Sequence, residues 1–557
     1  MSLSNADELV FLPLGGVGEI GMNMGLYGYG PPRNRKWIMV DCGVTFGNAA
    51  ETPGIDLIFP DIRFAEAEKH NILALLLTHA HEDHYGAVLD LWPRLKCPVV
   101  ATPFTANLLA AKREGERNAP NVPVQVVAPD GKISFGPFSI EFVPVAHSIP
   151  EANALAIRTP AGLVVHTGDW KLDKKSTTSG VTDEARFRAL GEEGVLAVVG
   201  DSTNATREGH SASELDVSQT MFDLIRSAPA RVAVTTFASH IPRIRTVAEA
   251  ALAAGREIVV VGRAMERTVG VARETGWLDG VPDFRSTDVF GFLPPENALL
   301  LLTGSQGEGR AALARIANDD HPEISLSKGD RVIFSSRTIP GNEREVNKII
   351  NNLIDRGIEV VTDRDRMVHV SGHPRRGEME ELYTWLKPKM VVPVHGEPMH
   401  LFEHEKLVRK MGIPHVGTVR NGQMLRLYPG NPEIVDEAIS GRLYKDGDLL
   451  VLSEEPVRER KRLAFAGVVS VAIALDRKGE VLGDAEISLS GIPAQDAEGD
   501  TFTDIVHDAV LDALDNLPRQ KRRDADFVAE ALRRAVRAEI NASWGKKPLV
   551  QVMVVVV

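Results

Sequence analysis

Six consecutive positions, His79-Ala80-His81-Glu82-Asp83-His84, place three imidazoles and two carboxylates directly after the apolar run "ILALLLT". Neutral imidazole nitrogen and carboxylate oxygen are ligands that suit Zn²⁺, with Mn²⁺ or Mg²⁺ able to stand in its place. Burying so many ligand-type groups together without a cation is costly, so the block reads as a row of metal ligands rather than a polar turn. Positions 79 and 81 can point the same way, while 83 and 84 turn toward a second point. Two metals about 3.5–4 Å apart activate a water between them and stabilise both oxygens of a phosphoryl displacement. Other strand ends carry the same residue types: Asp41 after "WIMV", His147 after "IEFVPVA", Asp169 after "LVVHTG" and His395 after "MVVPV". A lone histidine at a strand end is ordinarily a hydrogen-bonding loop residue; several rigid strand ends supplying only His and Asp point to a site. The expected arrangement has His79, His81 and His147 on one metal, Asp83, His84 and His395 on the other, and Asp169 bridging them. Asp41 is expected to orient a ligating histidine, and Glu82 to point away.

These side chains need a scaffold of short strands. Apolar runs such as "WIMVDCG", "CPVVAT", "IEFVPVAHS", "LVVHTGDW" and "VLAVVGDST" recur over 1–205, with helical spacing in "FAEAEKH" and "TANLLAAKRE". This predicts a layered αββα domain. From 206 to 365 strand and helix alternate regularly, as in "RVAVTTFAS" before "IPRIRTVAEAALAAG" and "DRVIFSSRT" before "NEREVNKIINNLIDRG". That rhythm predicts an inserted parallel-sheet domain. "MVHVSGH" and "PKMVVPVHGE" return to the first style, so 366–425 reads as the second part of the first domain. A less regular stretch, 426–462, reads as a linker, and 463–557 as a small α+β domain closing on "PLVQVMVVVV".

At 557 residues the chain has room for two to four domains, and 43% hydrophobic with 25% charged residues is ordinary for a globular enzyme. The net charge, 63 − 76 = −13, excludes a general polycation but not a local basic channel. Two cysteines give no disulfide framework, the start lacks a signal-peptide pattern, and no apolar run approaches the roughly 18 residues of a membrane span. A cytoplasmic protein without membrane contact is expected. "GVGEIG" (16–21) mimics a dinucleotide-binding loop with Asp41 downstream, but "MNMGLYGYG" follows where a helix would be required.

H-x-H-x-D-H after a strand is the signature of the metallo-β-lactamase superfamily, and Asp41, His147, Asp169 and His395 fall where its other motifs are expected. "LGGVGEIGMN", "HSIPEA", "VVHTGDWKLD", "GDSTNA", "TFASHIPRI", "VGRAMER", "LLTGSQGE", "FSSRTIPGNE" and "HVSGHPRRGE" resemble the ribonuclease J family, which carries a β-CASP insert. The resemblance covers almost the whole chain. It implies a metallo-β-lactamase αββα sandwich holding two Zn²⁺ per subunit, and a parallel-sheet β-CASP domain closing over single-stranded RNA. It also implies 5′-to-3′ degradation from a 5′-monophosphate end, internal cuts in addition, and a place in mRNA decay and rRNA processing.

Carried over by motif, His369-Val370-Ser371-Gly372-His373 is the substrate-binding segment. His373 would contact the scissile phosphate or protonate the leaving oxygen, with Asp83 as the other catalytic residue. Arg263, Ser305, Ser335 and Ser336, at strand ends of the insert, are expected in a terminal-phosphate pocket, although each also suits an ordinary turn. Arg243, Arg245, Arg375, Arg376 and "RERKR" (458–462) are candidates to line an RNA channel; "RQKRR" (519–523) is expected to face solvent. Homodimers or homotetramers and other RNA-degradation proteins are the implied partners. One departure stands out: where the family shows Asn and then His two places on, this chain has His240 and Pro242. The change is expected to act on an RNA contact or on cleft flexibility.

Rival readings weigh less. A lactamase or glyoxalase needs no insert, a DNA-repair or RNA 3′-end β-CASP nuclease lacks the C-terminal unit, and a silent RNA-binding subunit would have lost some of the seven ligands.

Overall fold

The computed structural model describes residues 6–557 apart from 49, 176–179 and 340. The extreme N-terminus, on which the signal-peptide reading in part rests, and Pro340 of "FSSRTIPGNE" thus lie outside the described residues. The chain divides into two units: one runs to Thr45 and from Phe59 to Arg442, the other takes Phe46–Ile58 and Leu443–Val557.

The first unit holds two sheets face to face. One has eight strands, with Glu8–Gly15, Met24–Gly30, Lys36–Val40 and Ile72–Leu76 at its centre. The other has seven, centred on Asn153–Thr159, Gly162–His166, Val195–Asp201 and Met390–Val394. Side chains from the two inner faces form one core: Phe11, Tyr27, Ile38, Ala74 and Leu76 pack with Phe142, Leu155, Val164, Ala197 and Val392. This is the expected sandwich, and alternation along each strand produces it by sending every second residue inward.

The insert is a third sheet, wholly parallel, ordered Glu257–Val261, Ala298–Leu302, Val232–Thr235, Arg331–Phe334, Glu359–Val361. Its inner strands are buried on both faces and so lack alternation; all five residues of "ALLLL" (298–302) are buried. The helix Glu214–Ser227 opens the insert, its N-terminus closed by the Ser213 hydroxyl, which accepts from the Leu215 N–H at 3.1 Å.

The stretch expected as a linker is structured. Gln423–Tyr428 pairs antiparallel with Glu8–Gly15 and is itself flanked by Glu433–Glu437, so the first sheet continues well past residue 425. "QMLRLY" is a half-buried strand whose Leu425 and Leu427 enter the sandwich core. A hairpin, Arg442–Asp446 with Leu449–Val451, and a helix, Glu455–Ala466, follow. In the second unit Val468–Leu475 pairs with Glu486–Ser490 and, in parallel, with Leu549–Val556. The helices Phe502–Asp515 and Ala525–Trp544 cover one face of this sheet. No helix among the described residues is long and apolar enough to cross a membrane.

Candidate active site

The strand ends of the two sheets converge. Ile72–Leu76 leads into Thr78 and His79, and His81 stands at the start of a single helical turn, Glu82–Tyr85. Asp41 and His395 both adopt the left-handed backbone region, with φ of 64° and 52°. That conformation costs about 1–2 kcal/mol per non-glycine residue, and both residues bear on the site. Glycine is required where loops touch: a Cβ on Gly43 would lie 1.7 Å from the Asp83 carbonyl oxygen, and one on Gly372 would lie 2.6 Å from the His147 ring.

The donor atoms fall into two sets that share Asp169. His79, His81, His147 and Asp169 form one, and Asp83, His84, Asp169 and His395 the other, the ligand atoms of each lying within 4.8 Å of one another. In the first set His79 Nε2 and His147 Nε2 each stand 3.1 Å from His81 Nδ1. The far nitrogens are already committed. His147 Nδ1–H donates to the Gly372 carbonyl at 2.7 Å, and His79 Nδ1 lies 3.0 Å from the Thr78 hydroxyl, which itself donates to Asp41. Two bare nitrogens therefore face a third that carries at most one proton, and no set of hydrogen bonds satisfies all three. A cation does. Burial supports the neutral form: it lowers the pKa of His81 to about 4, and those of His79 and His147 well below the usual histidine value.

The second set is rich in carboxylate. His84 Nδ1–H donates to Asp41 at 2.7 Å, which turns Nε2 toward Asp169 at 3.2 Å and Asp83 at 3.6 Å. His395 Nδ1 donates to the Thr203 hydroxyl at 2.7 Å, leaving Nε2 3.3 Å from Asp83 and 3.7 Å from Asp169. Burial lowers the His395 pKa, yet Asp169, Asp83 and Asp201 around it hold it up to about 9. The pocket thus attracts positive charge. Asp169 Oδ1, fully buried, has no hydrogen-bond partner, as expected of an oxygen reserved for a metal. The residues present fit two divalent cations.

His373 joins the cluster: its Nδ1 lies 2.8 Å from Asp201 and 3.8 Å from Asp169. Asp83 and His373 expose 29% and 21% of their side chains, whereas those of His84, Asp169 and His395 are at most 5% exposed, so these two face what enters the cleft. Val370 is buried, Ser371 Oγ accepts from Asn204 at 2.8 Å, and Gly372 holds His147, so 370–373 walls the pocket. His369 does not join it; its environment is Arg243, His240 and Glu214. Glu82 turns to Lys112 at 2.7 Å, away from the ligand atoms.

Several residues expected at RNA are otherwise engaged. Arg243 is fully buried, bonded to Glu214 at 2.8 Å, Ser335 Oγ at 2.5 Å and the Val368 carbonyl at 2.6 Å. It therefore cannot line a channel, and it takes Ser335, also fully buried, out of a phosphate pocket in this arrangement. His240 is buried too, its Nε2 3.3 Å from Glu214, so the departure at this position lies in the interior and not on an RNA surface. Pro242 sits in the first turn of the helix Ile241–Ala253, where its missing N–H costs nothing. Arg245 is tied to Glu249, Arg376 to Glu208 and Glu403, Arg458 to Glu454 and Arg460 to Asp446. Ser305 and Ser336 are buried past the ends of Ala298–Leu302 and Arg331–Phe334, the strands that flank Val232–Thr235, and Arg263 is exposed at the start of its helix.

Sequence reasoning passed over Asp201, Thr203 and Asn204, although "GDST" ends a strand just as the other ligand motifs do. Asp201 holds His373, Thr203 holds His395, and Asn204 holds Ser371 and the His373 carbonyl. Behind them Ser202 bonds His404 at 2.8 Å, and His404 bonds Tyr383 at 2.5 Å, in a buried chain that steadies this loop. Asn23 was missed as well; its amide donates to the Asp83 carbonyl at 3.0 Å.

Comparison with known proteins agrees with this geometry. Residues 36–234 match the beta-lactamase superfamily domain and 229–353 the ribonuclease J beta-CASP domain. Residues 357–416 match the Zn-dependent metallo-hydrolase RNA specificity domain, and 456–557 the ribonuclease J C-terminal domain. The chain is 54% identical to a ribonuclease J of Sinorhizobium meliloti, covering 99% of this chain and 98% of that one. It is 36% identical to a ribonuclease J of Corynebacterium glutamicum over 99% of this chain and 76% of the relative. A crystal structure of a protein of unknown function from Enterococcus faecalis shares the fold, with a TM-score of 0.54 at 14% identity over 75% of this chain and 100% of that one. A buried His/Asp cluster shaped for divalent metal, a β-CASP insert and relatives of this identity leave one assignment: the chain belongs to the ribonuclease J family, metal-dependent hydrolases that act on RNA.

Proposed function

We propose that the protein binds two Zn²⁺ per subunit and degrades single-stranded RNA 5′ to 3′, with preference for a 5′-monophosphate end and some internal cleavage. The observation that carries this reading is the pair of donor sets sharing Asp169, walled by the segment that ends at His373. Bound divalent cations would supply Lewis acidity and charge neutralisation for phosphodiester hydrolysis.

The chain's own groups do the rest. Asp41 and Thr203 fix the ring orientations of His84 and His395. Asp201 accepts from His373 Nδ1–H, which leaves Nε2 as the ring nitrogen free to hold or give a proton at the leaving oxygen. Asp83, the more exposed carboxylate, is positioned to take a proton from an incoming water. The buried sandwich beneath keeps water to the open side.

The phosphate-end preference is supported by the loops after Ala298–Leu302 and Arg331–Phe334. Gln306 joins them, donating to the Arg337 carbonyl at 2.9 Å and accepting from the Ile339 N–H at 2.8 Å. Ser336 Oγ there is buried without a partner. Assembly into a dimer or tetramer is supported by exposed Met553, Val555 and Val556 on the strand Leu549–Val556, and a cytoplasmic setting by two unpaired buried thiols, Cys42 and Cys97. Incubating the purified protein with 5′-monophosphate, 5′-triphosphate and circular RNA tests the central claim. Mononucleotide release from the first alone is expected to dominate, whereas equal turnover of all three would refute a phosphate-gated exonuclease.

A further inference from the structure

In a chain of net charge −13, some arginines of the first unit are held by acidic partners and others are not. Arg376 is held by Glu208 and Glu403 at 3.2 Å each, and Arg243 by Glu214 at 2.8 Å. Among the described residues, Arg207, Arg337 and Arg375 form no salt bridge and donate no side-chain hydrogen bond; the Nε of Arg375 is buried and unpartnered.

The backbone brings Arg207 and Arg375 together from separate segments, and the charge of Arg337 acts on Arg207 from a third. Asn204 and Arg375 pair in an isolated bridge, and the Arg207 carbonyl accepts from the Arg376 N–H at 3.0 Å. Asn204 in turn holds the His373 carbonyl at 3.1 Å, which ties this patch to the wall of the metal pocket. Arg337 comes from the insert, just past the strand Arg331–Phe334, with its carbonyl bound by Gln306 at 2.9 Å. Burial and then the like charges of Arg337 and Arg375 lower the pKa of Arg207; the exposed Asp363 offsets only part of this. Three guanidinium groups gathered without a counter-ion cost free energy until an anion joins them.

We propose that Arg207, Arg337 and Arg375 form a clamp for the backbone phosphodiesters of RNA flanking the scissile bond, built jointly by the first domain and its insert. Planar guanidinium forks match phosphate oxygens, and such contacts are blind to base identity. The proposal rests on the ribonuclease reading and adds to it the residues that grip the strand. It also explains how an acidic chain holds a polyanion: the unpaired positive charge is concentrated beside the chemistry.

The test uses the full chain with metal chelated, so that RNA is bound but not cut. Affinity for single-stranded oligonucleotides labelled at the 3′ end, bearing a 5′-monophosphate or a 5′-hydroxyl, is measured across a potassium chloride series. Arg207→Gln, Arg337→Gln and Arg375→Gln are each expected to weaken both RNAs about tenfold and to reduce the slope of log affinity against log salt by about 0.7. Arg226→Gln, an exposed arginine on the helix Glu214–Ser227, carries the same charge change and is expected to alter neither. Arg337 is exposed, so its variant tests the clamp without threatening the fold, and equal melting midpoints verify this. Unchanged salt slopes overturn the proposal. So does a loss confined to 5′-monophosphate RNA, which would assign the arginines to the terminal phosphate. If the unaltered chain binds neither RNA yet, with metal restored, hydrolyses bis(p-nitrophenyl) phosphate, the ribonuclease reading fails along with the clamp.

Discussion

Two buried polar clusters lie in the first unit and differ in what they lack. Around Glu214, opposite charges complete one another. Arg243 bonds Glu214 at 2.8 Å, Lys171 lies 3.0 Å from Asp173, and Asp173 also accepts from Ser213 at 2.7 Å and from the Glu214 N–H at 2.9 Å. Around Asp169, bare nitrogens face one another and a carboxylate oxygen has no partner. In the first cluster Glu214 and Asp173 find cationic partners within the chain, although Lys171 Nζ, His240 Nε2 and His369 Nδ1 make no hydrogen bond; the second is finished by something the chain must bind. Burial is the same in both, so burial alone does not distinguish a structural network from a functional one. The distinction lies in whether the buried carboxylates find their counter-charges among lysine and arginine of the same chain.

That contrast can be broken in order of expected effect. Asp169→Ala removes the shared ligand, and RNA hydrolysis is expected to fall by about 10⁴-fold with loss of bound zinc measured by elemental analysis. A variant that kept both metal and activity would end the two-set description. Glu214→Gln strips the buried guanidinium of Arg243 of its counter-charge and is expected to cost about 3–5 kcal/mol in urea unfolding, whether or not zinc is present. A loss that zinc reverses would mean the two clusters are one.

A third buried chain, Tyr383–His404–Ser202, belongs with the self-completed kind and supplies a pH test. Burial lowers the His404 pKa to about 4, so the unfolded chain takes up this proton first. Stability from this group is complete above about pH 6.5 and is lost as pH falls toward about 4, by about 2–3 kcal/mol. His404→Gln is expected to flatten that limb of the unfolding curve; an unchanged limb would assign it to other groups. Last and smallest, Arg245→Gln breaks a partly exposed pair with Glu249 and is expected to change stability by less than about 0.5 kcal/mol.

How far the sequence was legible follows the same line. The ligand residues sit where an apolar strand stops, a pattern visible in one dimension because strands of five to seven residues end abruptly at a polar loop. The continuation of the first sheet through Gln423–Tyr428 was not legible, because pairing with Glu8–Gly15 spans about four hundred residues and leaves no local mark. Arg243 was misread for a related reason. An arginine looks alike in sequence whether it meets RNA or Glu214, and only the helix Ile241–Ala253 packing on the start of the insert decides.

By itself the sequence determined the ligand types, the strand ends that carry them and the parallel rhythm of the insert, since these follow from local periodicity and side-chain chemistry. Only the tertiary structure decided which basic residues are spent on internal carboxylates and which are left for an anion. It alone brought Asp201 to His373 and Thr203 to His395. The reason is physical: a ligand's identity is a property of one residue, whereas the satisfaction of a charge or a hydrogen bond is a property of two, joined across a distance that only folding sets.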